Sequence, residues 1–300
     1  MFSRTAIEKT EAVFKQISAP LLTAIVFLSA WTGSVVAVHA DDGAAATAGL
    51  LTIPDKLVVL TLDDANKSDI RTVAPILQQF RFGATFFVTE GLGARTDKKN
   101  FLTWAEIQQL DGLGFEIGNH TGNHVNVLKV DRARIGVEIE LIQQLCRDHG
   151  IAAPISFCYP GFQHGPTAVA VLQEKSFLFA RRGVSPEFED PGRGARGPAY
   201  KPASDHPLLV PATMYFGPDM EFDDVEWAVE QAVDGQIAVL CYHGVPSSLH
   251  PWVNTEIEVF RQHMKYLQLQ GCRVIAVRDL LKYVDPSKFT GKPYASLKQP

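Results

Sequence analysis

Leu57-Val58-Val59-Leu60-Thr61-Leu62-Asp63-Asp64 is a nearly unbroken apolar run that stops on two carboxylates. A strand with one wet face alternates apolar and polar residues. This run does not alternate, so it reads as a strand covered on both faces. Such strands form parallel sheets with helices packed outside them. The residues downstream fit that arrangement. Positions 69–81 (DIRTVAPILQQFR) space their apolar groups as a helix does, and Ala84-Thr85-Phe86-Phe87-Val88 is a second strand. Thr103, with Glu106 three residues on, forms a capping box that opens a helix over 103–113. Phe115 to Gly118 is a third strand, and 131–149 a long helix capped by Asp131 and closed by Gly150. Ile155 to Cys158 is a fourth strand, 166–175 a helix and Phe177 to Ala180 a fifth strand.

From Arg181 to Glu221 the pattern dissolves into a loop rich in Pro and Gly, and a loop of that length in a compact domain is usually functional or mobile. A helix at 222–234, a sixth strand Ile237 to Tyr242, a helix at 254–270 and a seventh strand Arg273 to Val277 with a closing helix complete the alternation. The expected class is α/β, a distorted or incomplete (β/α) barrel with about seven parallel strands. Residues that follow several different strands converge most naturally at the C-terminal mouth of a barrel.

Upstream, residues 19–40 (APLLTAIVFLSAWTGSVVAVHA) carry no charge except one His, follow Arg4, Lys9 and Lys15, and end on Val38-His39-Ala40. That is a signal peptide cleaved after Ala40, or an uncleaved membrane anchor. Both readings export the domain, to a secreted, periplasmic or cell-envelope location, and it touches a membrane only if the segment is kept. Residues 41–56 read as a linker, 57–285 as the folded domain and 286–300 as a tail. The net charge of −5 and the lack of a Lys/Arg run argue against a nucleic-acid partner. Cys146, Cys158, Cys241 and Cys272 show no zinc-finger spacing, and three of them lie in or beside apolar strands, so they read as buried thiols.

Polar residues cluster just after strand ends. Asn119-His120-Thr121-Gly122-Asn123-His124 follows the third strand. If the chain turns helically there, imidazoles four apart share a face and can hold one metal. Asp63-Asp64 ends the first strand; adjacent carboxylates repel and call for a cation or a proton, although a helix cap or a solvated acidic turn is the plainer reading. His243-Gly244 follows the sixth strand, and Tyr159-Pro160-Gly161-Phe162 follows the fourth. Two His and one Asp leave coordination positions open, as in a catalytic metal site. A second Asp and a third His then supply a base and an acid.

These residues resemble the polysaccharide deacetylase family (NodB homology domain, carbohydrate esterase family 4) over about residues 57–283. Thr61-Leu62-Asp63-Asp64 looks like its first motif. Gly114 to His124 is similar to its second, Phe157 to Phe162 to its third, and Val239 to His243 to its last. The resemblance implies that Asp64, His120 and His124 hold a divalent metal, usually zinc. It implies that Asp63 is the base for the attacking water and that a backbone N–H near Gly161 supports the oxyanion. His243 would protonate the departing amine. The implied partner is an N-acetylated glycan. Tyr159, Pro160, Gly161, Phe162, His164, Arg181 and Trp252 are the expected substrate contacts.

The departures are specific. Ala65-Asn66 stands where Gly-Pro is common, and Gly161-Phe162 where Tyr-Gly is usual. Phe157 or Cys158 occupies the place of an arginine that orients the base; Arg181 or Arg182 is a candidate replacement, the plainer reading being a solvated pair. Asp223-Asp224-Val225-Glu226-Trp227 imitates the fourth motif but reads more simply as an acidic helix start. A hydrolase of another amide on the same scaffold and a non-catalytic carbohydrate binder are the alternative readings.

Overall fold

The computed structural model describes residues 49–184, 196–295 and 297. The reading of residues 1–40 as a signal or anchor lies outside the described residues. In chain order the strands are β1 (Leu57–Asp63), β2 (Thr85–Val88), β3 (Glu116–Asn119), β4 (Ser156–Cys158), β5 (Phe179–Arg181), β6 (Met214–Tyr215), β7 (Ala238–Tyr242) and β8 (Arg273–Ile275). The helices are α1 (Ala74–Phe80), α2 (Trp104–Gly112), α3 (Arg132–Asp148), α4 (Pro166–Glu174), α5 (Phe222–Glu230) and α6 (Ile257–Leu269). Among the described residues no helix is long and apolar enough to cross a membrane.

All seven residues of β1 are buried, as the unbroken apolar run requires. One edge of β1 pairs with β7, from Val58↔Ala238 to Leu62↔Tyr242. The other edge is shared: Leu57–Val59 pair with β8, and Thr61–Asp63 with β2. The path runs β5-β4-β3-β2-β1-β7-β6, with every pairing parallel. These seven strands curl through 237° into an open, incomplete barrel.

Side-chain alternation along each strand separates two layers. Val58, Leu60 and Leu62 of β1 pack outward with Phe86, Val88, Val73, Leu77 and Phe260 under the helices. Leu57 and Val59 pack inward with Phe87, Cys158, Phe179 and Val239. Burying side chains of this size contributes about 1.5–3 kcal/mol each. The same parity carries to the strand ends. Asp63, Cys158, Arg181 and Cys241 share the phase of the inner layer, so all four face the barrel axis at its C-terminal mouth.

Several details differ from expectation. The helix at 69–81 is split into a π-turn at Asp69–Val73 and α1, because Pro75 has no N–H and its ring crowds the carbonyl of Arg71. The stretch from 181 to 221 is not wholly loop. Met214 and Tyr215 add β6 to the edge of β7, a two-residue pairing too short to show a period. The fifth strand lies two residues further on than expected at its start. The closing helix is a 3₁₀ turn, Val277–Lys282. The Thr103–Glu106 capping box and the Asp131 cap are present. All four cysteines are free and buried.

Candidate metal centre

β1 ends at Asp63, and the chain then bends through two left-handed residues, Asp64 (φ 78°) and Ala65 (φ 55°). Neighbours on a strand point to opposite faces, so only such a bend brings both carboxylates to one mouth. L-residues rarely adopt this conformation, which costs on the order of 1–3 kcal/mol and recurs at functional sites.

The His120–His124 segment is not helical. Thr121 (φ 61°) and His124 (φ 52°) are left-handed, and it is this looped path that brings the imidazoles together, their centroids 4.8 Å apart. Helix α3 holds the loop from behind. Asn119 Nδ2 donates to the Ile139 carbonyl (2.9 Å), and Gly122 N–H to the Glu138 carbonyl (2.8 Å). The buried Glu138 carboxylate accepts from Asn123 N–H (2.6 Å) and Asn123 Nδ2 (3.0 Å), and pairs with Arg134 (2.5 Å). Gly91 lets the β2–α2 loop pass close by, for a Cβ there would meet the Asn123 carbonyl carbon at 2.6 Å.

His120 Nε2 and His124 Nε2 each lie 3.4 Å from Asp64 Oδ1, which is buried and has no hydrogen-bond partner. A tetrahedral site with bonds of about 2.0–2.1 Å has ligand-to-ligand edges of about 3.4 Å, so a divalent cation fits between these three atoms. His120 Nδ1 is 2.8 Å from the Cys158 carbonyl, an acceptor that fixes the proton on Nδ1 and leaves Nε2 as the donor atom for a metal. Burial draws the His124 imidazole down to about 4, so it too offers a lone pair at neutral pH. At His120 burial works the same way, but Asp64 and Asp63 outweigh it and raise the value. Burial works to raise the Asp64 carboxyl, yet the surrounding imidazoles hold it well below the usual range.

Asp63 sits beside this trio in a different environment. Its Oδ2 accepts from Arg181 Nη2 and has the thiols of Cys158 (3.5 Å) and Cys241 (3.7 Å) and His243 Nε2 (3.8 Å) around it. Its Oδ1 is buried and without a partner. Burial pushes this carboxyl up, but Arg181 above all holds it below the ordinary value and keeps it charged. Donor atoms of Asp63 also group with Cys241 and His243, and with His120 and Cys158. A second cation there would face the Arg181 guanidinium, and that repulsion leaves Asp64, His120 and His124 as the better metal trio.

Arg181 and Cys158 are register partners on adjacent strands. The arginine reaches Asp63 past a small thiol, 2.6 Å from Cys158 Sγ, and lies over the rings of Phe162 (5.4 Å) and Phe87 (5.7 Å). Arg182 turns elsewhere, to the carbonyls of Leu209 and Gly183. Burial draws the His243 imidazole down, despite the nearby carboxylates.

The cavity over these groups has a volume of about 300 Å³. Asp63, Asp64, His120, His124, Gly161, Phe162, His243 and Trp252 line it, as expected from sequence. Trp252 is an exposed rim residue, at 66% of its accessible surface. Four expected substrate contacts are not in the lining. Tyr159 is buried and its hydroxyl donates to the Leu208 carbonyl. Pro160 is buried at the head of a 3₁₀ turn. His164 is turned to the Tyr294 hydroxyl (3.0 Å), and Arg181 lies beneath Asp63. Tyr242, at the end of β7, has the outward parity and meets His263 rather than the cavity.

Leu92, Tyr215, His250 and Val253 complete the wall and carry no motif that would single them out. Glu138 is a further residue of the site, through its hold on Asn123. Its signal was visible, a carboxylate among Ile135, Ile139 and Ile142 on the apolar face of an amphipathic helix. Asp224 of the imitated fourth motif is an element of fold: it accepts from Glu221 N–H and from Arg196.

Residues 51–179 match the family model described as polysaccharide deacetylase. No curated protein matches the chain in sequence. The fold is similar to that of the Bc1960 peptidoglycan N-acetylglucosamine deacetylase, with TM-score 0.53 and 16% identity over 78% of this chain and 91% of that one. It is similar to the CE4 domain of a multidomain xylanase from the hindgut metagenome of Trinervitermes trinervoides, with TM-score 0.50 and 18% identity over 76% and 91%. A CE4 family pseudoenzyme from Bacillus anthracis gives TM-score 0.50 and 16% identity over 78% and 67%. These likenesses establish the CE4 deacetylase fold.

Proposed function

We propose that this chain is a metal-dependent hydrolase that removes N-acetyl groups from an amino-sugar polymer or oligosaccharide, outside the cytoplasm. The observation that carries the reading is the convergence of His120 Nε2 and His124 Nε2 on one unpartnered oxygen of Asp64, with the charged Asp63 beside it. Asp64, His120 and His124 would hold the metal, zinc by the chemistry of one carboxylate and two imidazoles. When bound, the metal supplies Lewis acidity to the amide carbonyl and to water.

The protein residues do the rest. Asp63 takes the proton of the attacking water at Oδ1, the oxygen that Arg181 leaves free. Arg181 fixes the carboxylate at Oδ2 and keeps it charged until it acts. His243, in reach of the same cavity, rests neutral and relays to the departing nitrogen the proton that Asp63 took from water, passing through an imidazolium that the nearby carboxylates stabilise. Gly161 lets the backbone approach the substrate. Phe162, Tyr215 and Trp252 give the cavity an apolar wall that suits the flat face of a sugar. The apolar N-terminal segment supports export.

The test is metal analysis of the purified protein together with acetate release from chitin oligomers and peptidoglycan. Bound metal with acetate release is the expected result. Bound metal without acetate release from either polymer would favour another amide as substrate. Absence of metal, with Asp64→Ala indistinguishable from wild type, would remove the site.

A further inference from the structure

Two of the loops that line the metal-site cavity also build a second, smaller cavity. Asp63 and Asp64 line the first, while Asn66, Lys67 and Ser68 line the second, of about 210 Å³. His250, Trp252 and Val253 line the first, while the residues just before them, Pro246 to Leu249, line the second. The cavities are therefore neighbours, and the two loops are joined between them where Val245 N–H donates to Ser68 Oγ (2.9 Å). An extended chain with one unit at Asp64 has its next unit within reach of the second cavity.

The walls differ in charge. No carboxylate lines the second cavity, whereas Lys67, Arg71 and Lys99 do, among amide and hydroxyl side chains such as Asn100 and Ser247. Glu106 neutralises Lys67 at 2.5 Å. Arg71 and Lys99 have no carboxylate within ion-pair distance among the described residues. Asp97, the acid nearest to Lys99 in sequence, spends its oxygens on the N–H groups of Lys99 and Asn100 and on Asn100 Nδ2. On a protein of net charge −5, two cations on one concave wall with no ion-pair partner among the described residues form a local exception to the field.

We propose that this cavity is an anion subsite. It receives a carboxylate, sulfate or phosphate carried by the sugar unit next to the one whose amide lies at Asp64. The substrate class narrows accordingly, from any acetamido glycan to an acidic one. The inference rests on the glycan reading above.

The experiment compares wild type with Arg71→Gln/Lys99→Gln, both exposed positions whose loss leaves the core intact. Three probes of equal length are titrated by calorimetry and assayed for acetate release: a neutral N-acetylglucosamine oligomer, one alternating with N-acetylmuramic acid, and a sulfated one. Wild type is expected to bind an acidic probe about tenfold tighter than the neutral one at low salt, and the variant to lose that preference while the neutral affinity holds. Added salt should erase the preference in wild type as the substitutions do. The acidic probe that responds identifies the substituent. Equal losses on acidic and neutral probes, or no loss on any, would overturn the subsite. Preferential acidic binding without acetate release would remove the deacetylase reading and leave the subsite standing. Acetate release with no acidic preference would do the reverse, and no binding of any probe would remove both.

Discussion

Arg181 on β5 and Cys158 on β4 face each other in register, and the guanidinium of one passes the thiol of the other to reach Asp63. The pair shows how one polar contact can be rebuilt from a different strand. An arginine at 158 would stand next to Asp63 directly. A small residue there leaves a gap that only an inward side chain of the neighbouring strand can fill, and Arg181 is that side chain.

Arg181→Ala is expected to lower kcat and move the acid limb of the pH–rate profile to higher pH. Arg181 holds the Asp63 carboxyl below its ordinary value, so its removal lets that value rise and the base is lost earlier on acidification. Breaking a buried pair on one side also costs about 3–5 kcal/mol of stability. A profile that keeps its acid limb while activity falls would reduce Arg181 to a structural role. Urea denaturation measures the stability share.

Removal of any one of Asp64, His120 or His124 should leave less than one metal per chain, read by elemental analysis. Chelation of the wild type should lower Tm, and re-addition of metal should restore it, because a ligand that binds only the folded state stabilises it. A Tm that ignores chelator, in protein shown to carry metal, would place the metal elsewhere.

Glu138→Ala should weaken metal binding by about 10–100-fold, although Glu138 touches no metal ligand. Its carboxylate ties down Asn123, next to His124, and without it the two imidazoles are no longer held at one spacing. Glu138→Gln keeps one acceptor and should recover part of the affinity. Calorimetric metal titration of the folded variants separates this from general destabilisation, and equal affinities in all three proteins would refute it.

Acid should destabilise the fold through His263. This imidazole is buried, accepts or donates at the Tyr242 hydroxyl (2.9 Å), and is pushed by burial to about 4. A depressed value means that the unfolded chain binds the proton first. The stability is whole above about pH 6.5 and declines as pH falls toward 4, by on the order of 3 kcal/mol for this group. Unfolding curves at pH 7 and 4.5 test it. Tyr242→Phe/His263→Leu, which removes both polar ends together, should flatten part of the decline; an unchanged slope would assign the acid sensitivity to other groups.

The fold class and the residues that meet at the barrel mouth were legible in sequence because they depend on local pattern. The unbroken β1 run announces a strand covered on both faces, and Asp63-Asp64, His120-His124 and His243 follow strands whose ends must meet. The helix caps at Thr103 and Asp131 were readable for the same reason, since capping spans only three or four residues. Alternation along each strand even sets which of these residues face the axis.

Tertiary structure alone decided the rest. That His120 and His124 meet through left-handed turns rather than a helix depends on the grip of α3, far along the chain. That Tyr159, His164 and Tyr242 serve packing while Tyr215 and Leu92 reach the cavity depends on which neighbours surround each ring. Arg181 rather than Arg182 reaches Asp63 because strand register gives the two arginines opposite faces. A sequence records the chemistry a residue can perform, but which oxygen it meets is fixed by contacts between segments more than a hundred residues apart, as Asp63 and Arg181 are.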